Sequence, residues 1–128
     1  MRLGVADRAR FLGRLVQAEL RRAYAGADAL VLASSREGWP NVLLESMACG
    51  TPVVASDVRG NPEVVAKEVA GVLMKDRSTA GVAEAVTRLF SAYPPRAATH
   101  AYAEGFSWDA TTKGQIDLFS AVLAKRHG

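Results

Sequence analysis

The chain has 128 residues, 49% of them apolar and 23% charged, with a net charge of +3. That length supports one domain with its own core, and the balance fits a soluble globular chain. The arginines are scattered and no aromatic-interleaved basic stripe appears, which excludes a nucleic-acid partner as the expected one. No apolar run approaches about 20 residues, so no transmembrane helix is expected.

Met1 to Asp7 reads as the end of a preceding unit, charged and without the apolar h-region of a signal peptide. Ala9 to Leu12 is a short strand candidate, closed by Gly13. Gln17 to Ala25 has helical spacing at Ala18, Leu20, Ala23 and Tyr24. The continuous apolar run Ala29 to Ala33 suits a buried parallel strand. A Gly/Pro-bearing loop follows, and Pro40 marks a boundary by disfavouring the α conformation at Trp39. Asn41 is expected to cap a helix carrying Val42, Leu43, Met47 and Ala48, with Gly50 and Pro52 ending it. Cys49, inside that helix, is the single cysteine. An intrachain disulfide is therefore excluded, a reducing, cytoplasmic compartment is compatible, and a buried thiol is the default.

Val53 to Ala55 is the next strand. Asn61-Pro62-Glu63 reads as a second helix start, with Asn61 as cap. Gly71 to Met74 is a further strand. Ser78 is expected to cap a helix with apolar positions at Val82, Ala83, Val86, Leu89 and Phe90, broken by Pro94-Pro95. Arg96 to Glu104 and a segment from Ser107, with Ile116, Phe119, Val122 and Leu123 on one face, supply two more helices. Strands alternating with helices predict an α/β fold with a parallel sheet.

The informative stretch is Ser34 to Pro52. Glu37 falls in the loop at the carboxyl end of a strand, where open α/β sheets bind ligands. Glu45 follows after seven intervening residues, four positions past Asn41 and so on nearly the same helix face. The first amides of that helix lack intrahelical partners and make a positive end suited to phosphate. A carboxylate accepts hydrogen bonds only, which suits a pair of hydroxyls. Two acceptors flanking a phosphate-attracting helix start would suit a nucleotide-sugar. Residue types alone leave open that Glu37 is a solvated loop residue and that Glu45 pairs with a surface arginine. His100 and His127 lie far apart and away from strand ends. No zinc spacing, nucleophile elbow or phosphate loop is present, and no Asp-x-Asp pair suggests a metal.

The segment E-G-W-P-N-V-L-L-E-S-M-A-C-G-T-P-V-V-A-S resembles the E-x7-E signature of retaining GT-B nucleotide-sugar glycosyltransferases, family 4 or "group 1". The similarity extends through R-F-L-G-R, Y-A-G-A-D-A-L-V-L-A-S, D-V-R-G-N-P-E-V-V and G-V-L-M, fades after about Asp76 and returns weakly at F-S-W-D. It implies that residues 1–128 form a single partial donor-binding domain, a partial Rossmann-like sheet flanked by helices. On that resemblance Glu37 is the catalytic-site glutamate that contacts the transferred sugar, and Glu45 holds the ribose hydroxyls. The amides of Gly38, Asn41, Val42 and Leu43 face sugar or diphosphate. Trp39-Pro40 departs from the aromatic-then-Gly pattern of many members, and Pro40 offers no N–H there. No cofactor or metal is implied.

The same resemblance implies that the acceptor domain and the first two strands of the donor domain, with their Arg and Lys clamp, are missing. The isolated chain is then expected to be inactive. The family's 3-2-1-4-5-6 strand order would leave the Ala29–Ala33 strand as an open apolar edge. Three outcomes are expected: direct pairing of that strand with Ala9–Leu12, a homodimer, or a second chain completing the sheet. The alternatives to a donor-binding enzyme part are a non-catalytic nucleotide-sugar-binding or interaction module and the small subunit of a split glycosyltransferase. A sugar epimerase of the same fold fits the motif less closely. Peripheral membrane contact is compatible with the mild basicity, because many family members use lipid-linked acceptors.

Overall fold

A computed structural model of the chain describes residues 4–35, 41–58 and 60–106. Its elements are α1 (Gln17–Gly26), β1 (Leu30–Leu32), α2 (Asn41–Ala48), β2 (Val53–Ser56), α3 (Asn61–Val64), β3 (Gly71–Met74), α4 (Thr79–Ser91) and α5 (Arg96–Glu104). The strands form one parallel sheet in the order β1-β2-β3. Leu30 pairs with Val53 and Val53 with Gly71, and each register continues up the strands.

The central strand β2 is buried along its whole length, as expected of a parallel strand covered on both faces. Its side chains alternate between two cores. Val53 and Ala55 join Leu43 and Met47 of α2, Val64 of α3 and Ala103 of α5 on one face. Val54 joins Met74, Ala85 and Leu89 on the other, under α4. The result is a three-layer arrangement in which α2 is anchored to the sheet by Leu43 and Met47, both fully buried.

The helix signals are realised locally. At the end of α2, Gly50 takes φ +81°. Its amide donates to the Met47 carbonyl at 2.9 Å, and the Thr51 amide donates to the Ser46 carbonyl at 3.0 Å. This is the paired bonding of a Schellman stop, which a residue with a Cβ would strain. Ser78 accepts from the Gly81 amide at 3.0 Å and caps α4. Within α4 the buried positions are Gly81, Ala85 and Leu89. Ala83 and Phe90 are exposed instead, and Phe90 stacks on Tyr93 with centroids 5.4 Å apart.

Ala9–Leu12 forms no strand and does not pair with β1; residues Ala6–Arg8 make a single 3-10 turn, and Phe11 beyond it is 99% exposed. A strand exists only by exchanging backbone hydrogen bonds with a neighbour, and among the described residues β1 pairs only with β2. Asn61 does not cap α3. Gly60, at φ +97°, takes the cap position, and Asn61 begins the helix. The Asn61 amide group turns back to donate to the Ser56 carbonyl at 2.8 Å. The helix read from Ser107, and Trp108 with it, lies outside the described residues.

The two sheet edges differ. At β3, Arg88 of α4 donates from Nη2 to the Leu73 carbonyl at 3.0 Å while Glu84 grips the same guanidinium from Nε and Nη2. At β1 the side chain of Val31 is 45% exposed, and no comparable polar cover is present among the described residues. No described helix is long and apolar enough to cross a membrane.

Below the sheet, at the entry to β2, one arginine ties three elements together. Arg96 opens α5 and donates to the carbonyls of Ala25 and Ala27, each at 2.8 Å, and to Thr51 Oγ1 at 2.9 Å. Those carbonyls close α1, where a cation opposes the negative helix end. Thr51 in turn donates to the Tyr24 carbonyl. The planar fork of a guanidinium can reach three acceptors at once and an ammonium cannot. Arg96→Met is expected to cost about 2 kcal/mol, and Arg96→Lys to recover little of it. Urea denaturation followed by circular dichroism checks both; a loss confined to the noise would mean that the three bonds are not carrying α1.

Candidate functional site

The expected site divides into a placed part and an unplaced part. Glu37 and Gly38, with Trp39 and Pro40, lie outside the described residues. Asn41, Val42, Leu43 and Glu45 are placed together on α2, the next element after β1. The described part of α2 opens at Asn41. The amides of Asn41, Val42 and Leu43 therefore form the first turn, whose N–H groups have no intrahelical acceptor. Asn41 is exposed, Val42 half-buried and Leu43 fully buried. Burial of the Leu43 side chain fixes the direction in which that turn presents its amides.

Glu45 is half-buried and turned toward α1. The Tyr24 hydroxyl donates to its Oε2 at 3.3 Å. The two side chains line a groove between α1 and α2 together with Gln17, Arg21, Ala48 and Cys49, with a volume of about 310 Å³. Arg21 shares the groove, yet Glu45 forms no ion pair among the described residues. The carboxylate thus meets a neutral donor on one side and open groove on the other. Tyr24 is 8% exposed. Burial first, then the charge of Glu45 and its hydrogen bond, push the Tyr24 phenol up to about 12.

A second hollow, of about 670 Å³, opens at the carboxyl ends of β2 and β3 between Ser56, Asp57, Val58, Met74, Lys75, Asp76, Arg77 and Ser78. The strand ends beside it are tied down by polar bonds. Ser56 Oγ donates to the Ser34 carbonyl at 2.7 Å, bridging β2 to the end of β1. Asn61 holds the Ser56 carbonyl, while its own Oδ1 is buried without a partner among the described residues. Asp76 accepts from the Ser78 hydroxyl and amide, which lowers its pKa. His100 is engaged elsewhere, with Nδ1 2.6 Å from the Ala48 carbonyl and Nε2 2.9 Å from Glu104. Among the described residues no group of three His, Cys, Asp or Glu could hold a metal ion.

With this geometry in place, comparison with known proteins is decisive for the family. Residues 1–92 match the family model described as "Glycosyl transferases group 1". The chain belongs to the group 1 glycosyltransferases. It is 42% identical over 121 residues to a D-inositol 3-phosphate glycosyltransferase of Actinosynnema mirum, an alignment covering 91% of this chain and 29% of that protein. A second D-inositol 3-phosphate glycosyltransferase, from Salinispora tropica, is 36% identical over 127 residues, covering 96% of this chain and 26% of the relative. Among solved structures, a sucrose-phosphate synthase from Thermosynechococcus elongatus superposes with a TM-score of 0.78 at 28% identity, covering 95% of this chain and 32% of that one. The glycosyltransferase chain thus spans less than a third of these relatives' length. Its three parallel strands and flanking helices are part of a GT-B Rossmann-like domain.

Tyr24 is the residue that reading the sequence missed. It appeared there only as one apolar position of α1. The available signal is chemical, since a buried tyrosine hydroxyl needs a partner, but nothing local in sequence points to a carboxylate 21 residues away. In the folded chain the proton on Tyr24 is held more tightly than in an unfolded one. The stability this contributes is complete below pH 10 and is lost as pH rises from 10 toward 12. Absorbance titration at alkaline pH, taken as the difference between wild type and Tyr24→Phe, should show one tyrosine ionising near 12; an ordinary value near 10 would mean that the hydroxyl is not buried against Glu45.

Proposed function

We propose that this chain is the donor-binding portion of a glycosyltransferase that moves a sugar from a nucleotide-sugar to an acceptor with retention. The observation that carries the reading is Glu45: a half-buried carboxylate without a cationic partner among the described residues, four positions past the start of a helix whose first-turn amides have no intrahelical acceptor. A glutamate paired with a cation would have part of its acceptor capacity and its charge engaged, whereas this one, beyond the Tyr24 bond, keeps an acceptor face toward the groove. The positive end of α2 suits the diphosphate, and the same preorganised amides would stabilise charge developing on a leaving nucleoside diphosphate. Glu37 and Gly38 contact the transferred sugar in this reading, and Asn41, Val42 and Leu43 offer amides to the phosphates. The relatives' names add a sugar-transferring activity on inositol 3-phosphate, and the acceptor of this chain is left unassigned. The setting is cytoplasmic, with contact to anionic lipid as a peripheral option.

Isothermal titration calorimetry with nucleoside diphosphates and several nucleotide-sugars tests the reading. Wild type is expected to bind weakly, and Glu45→Ala to lose about tenfold or more in affinity, as for a hydrogen bond to a charged group. Equal binding by both proteins would remove Glu45 from the site. The isolated chain is expected to transfer no sugar.

The outer edge of β1, which among the described residues pairs only with β2 and exposes Val31, favours a second component of the reading, in which another chain or a second copy completes the sheet. An unpaired strand edge with apolar side chains is a template for association. Analytical ultracentrifugation over a concentration series should show self-association that Val31→Lys weakens; a monomer at every concentration would exclude the homodimer.

A further inference from the structure

We propose that Tyr24 is a positioning residue for ribose recognition: its hydroxyl, donating to Glu45 Oε2, sets the plane of the carboxylate so that the rest of the group meets a vicinal diol. The inference rests on the donor role proposed for Glu45 and goes beyond it by assigning a second residue and a specificity to the groove between α1 and α2.

The argument begins with geometry. A glutamate side chain has three rotatable bonds and, on a helix surface, samples many orientations at little cost. A single hydroxyl can follow such a carboxylate wherever it points. Two adjacent hydroxyls cannot, because both must meet acceptors in one plane, and bidentate recognition depends on a fixed orientation. Glu45 has one oxygen committed to Tyr24 at 3.3 Å and the groove open beside it.

Tyr24 is fit to impose that orientation because it cannot move. Its ring is buried at 8% exposure. Its carbonyl accepts from Thr51, which Arg96 holds from α5. The donor is therefore fixed to the junction of α1, β2 and α5, while the acceptor is on α2, whose Leu43 and Met47 are fixed in the core. Cation pairing would have fixed Glu45 too, but at the cost of competing for both of its oxygens. A neutral phenol takes one and leaves the negative charge for the ligand.

The experiment compares UDP, GDP and ADP with their 2′-deoxy counterparts on wild type, Tyr24→Phe, Glu45→Ala and the double variant, by calorimetry. For whichever base binds, Tyr24→Phe is expected to weaken the ribonucleotide about three- to tenfold and to leave the deoxynucleotide unchanged. Discrimination between the sugars then shrinks, and the substitution has no further effect in the Glu45→Ala background. A structural role would instead weaken both nucleotides alike. If Glu45→Ala loses binding while Tyr24→Phe keeps full discrimination, the positioning role is overturned and the donor reading stands. If Glu45→Ala changes nothing, both fall. Should Tyr24→Phe fail to fold, the wild-type Tyr24 ring resonances decide by NMR. They are expected to shift on adding the ribonucleotide and not the deoxynucleotide, and equal responses would overturn the proposal.

Discussion

The arrangement of this domain depends on a polar knot under the sheet. Arg96, Thr51 and the last carbonyls of α1 join α5, the entry to β2 and α1 at one place. Each partner would be a liability alone. The terminal carbonyls of a helix are unsatisfied by construction, and a fully buried threonine hydroxyl needs an acceptor. Together they satisfy one another. The packing above follows: α1 is held beside α2, and Tyr24, two residues from the end of α1, is brought to Glu45. Apolar burial supplies most of the driving force for folding, but it has no preferred orientation. The directional bonds decide where the helix that carries Tyr24 sits.

Local signals were readable in the residues, and long-range ones were not. The stop of α2 at Gly50 was legible because a left-handed glycine is a property of a few consecutive residues. The bounds of β3 and α5 were legible for the same reason: a short apolar run between glycine and charge, and a helix opened after a proline pair. The Ala9–Leu12 strand was misread because four residues have no strand conformation of their own, and their expected neighbour is absent from the described sheet. Asn61 was misread for a subtler reason. Its type suits a cap, but Gly60 can adopt the positive φ that the turn needs, which frees the amide to hold Ser56. Of the site, the placement of Glu45 on the first turns of α2 was legible from spacing. Its contact with Tyr24 was not, since it depends on how α1 and α2 pack.

The site itself shows how a family signature divides between its parts. Asn41 to Glu45 draw their positions from the core, through Leu43, so the amides and the carboxylate share one rigid base. The groove beside them carries charge of both signs in Arg21 and Glu45 without joining them. A half-buried carboxylate without a cationic partner among the described residues forgoes some stability at that point, a local departure of the kind expected at functional sites and in keeping with the donor role proposed for Glu45.

The contrast between the two margins of the sheet has a bearing on how larger assemblies could be built from this unit. Arg88, locked by Glu84, already occupies a carbonyl of β3, so a newcomer strand there would have to displace a charged side chain before gaining its own ladder. On the β1 side, among the described residues, it would meet no such side chain, only the half-exposed Val31. If the sheet is extended, fusions or grafted halves therefore meet less obstruction among the described residues beside β1 than beside β3.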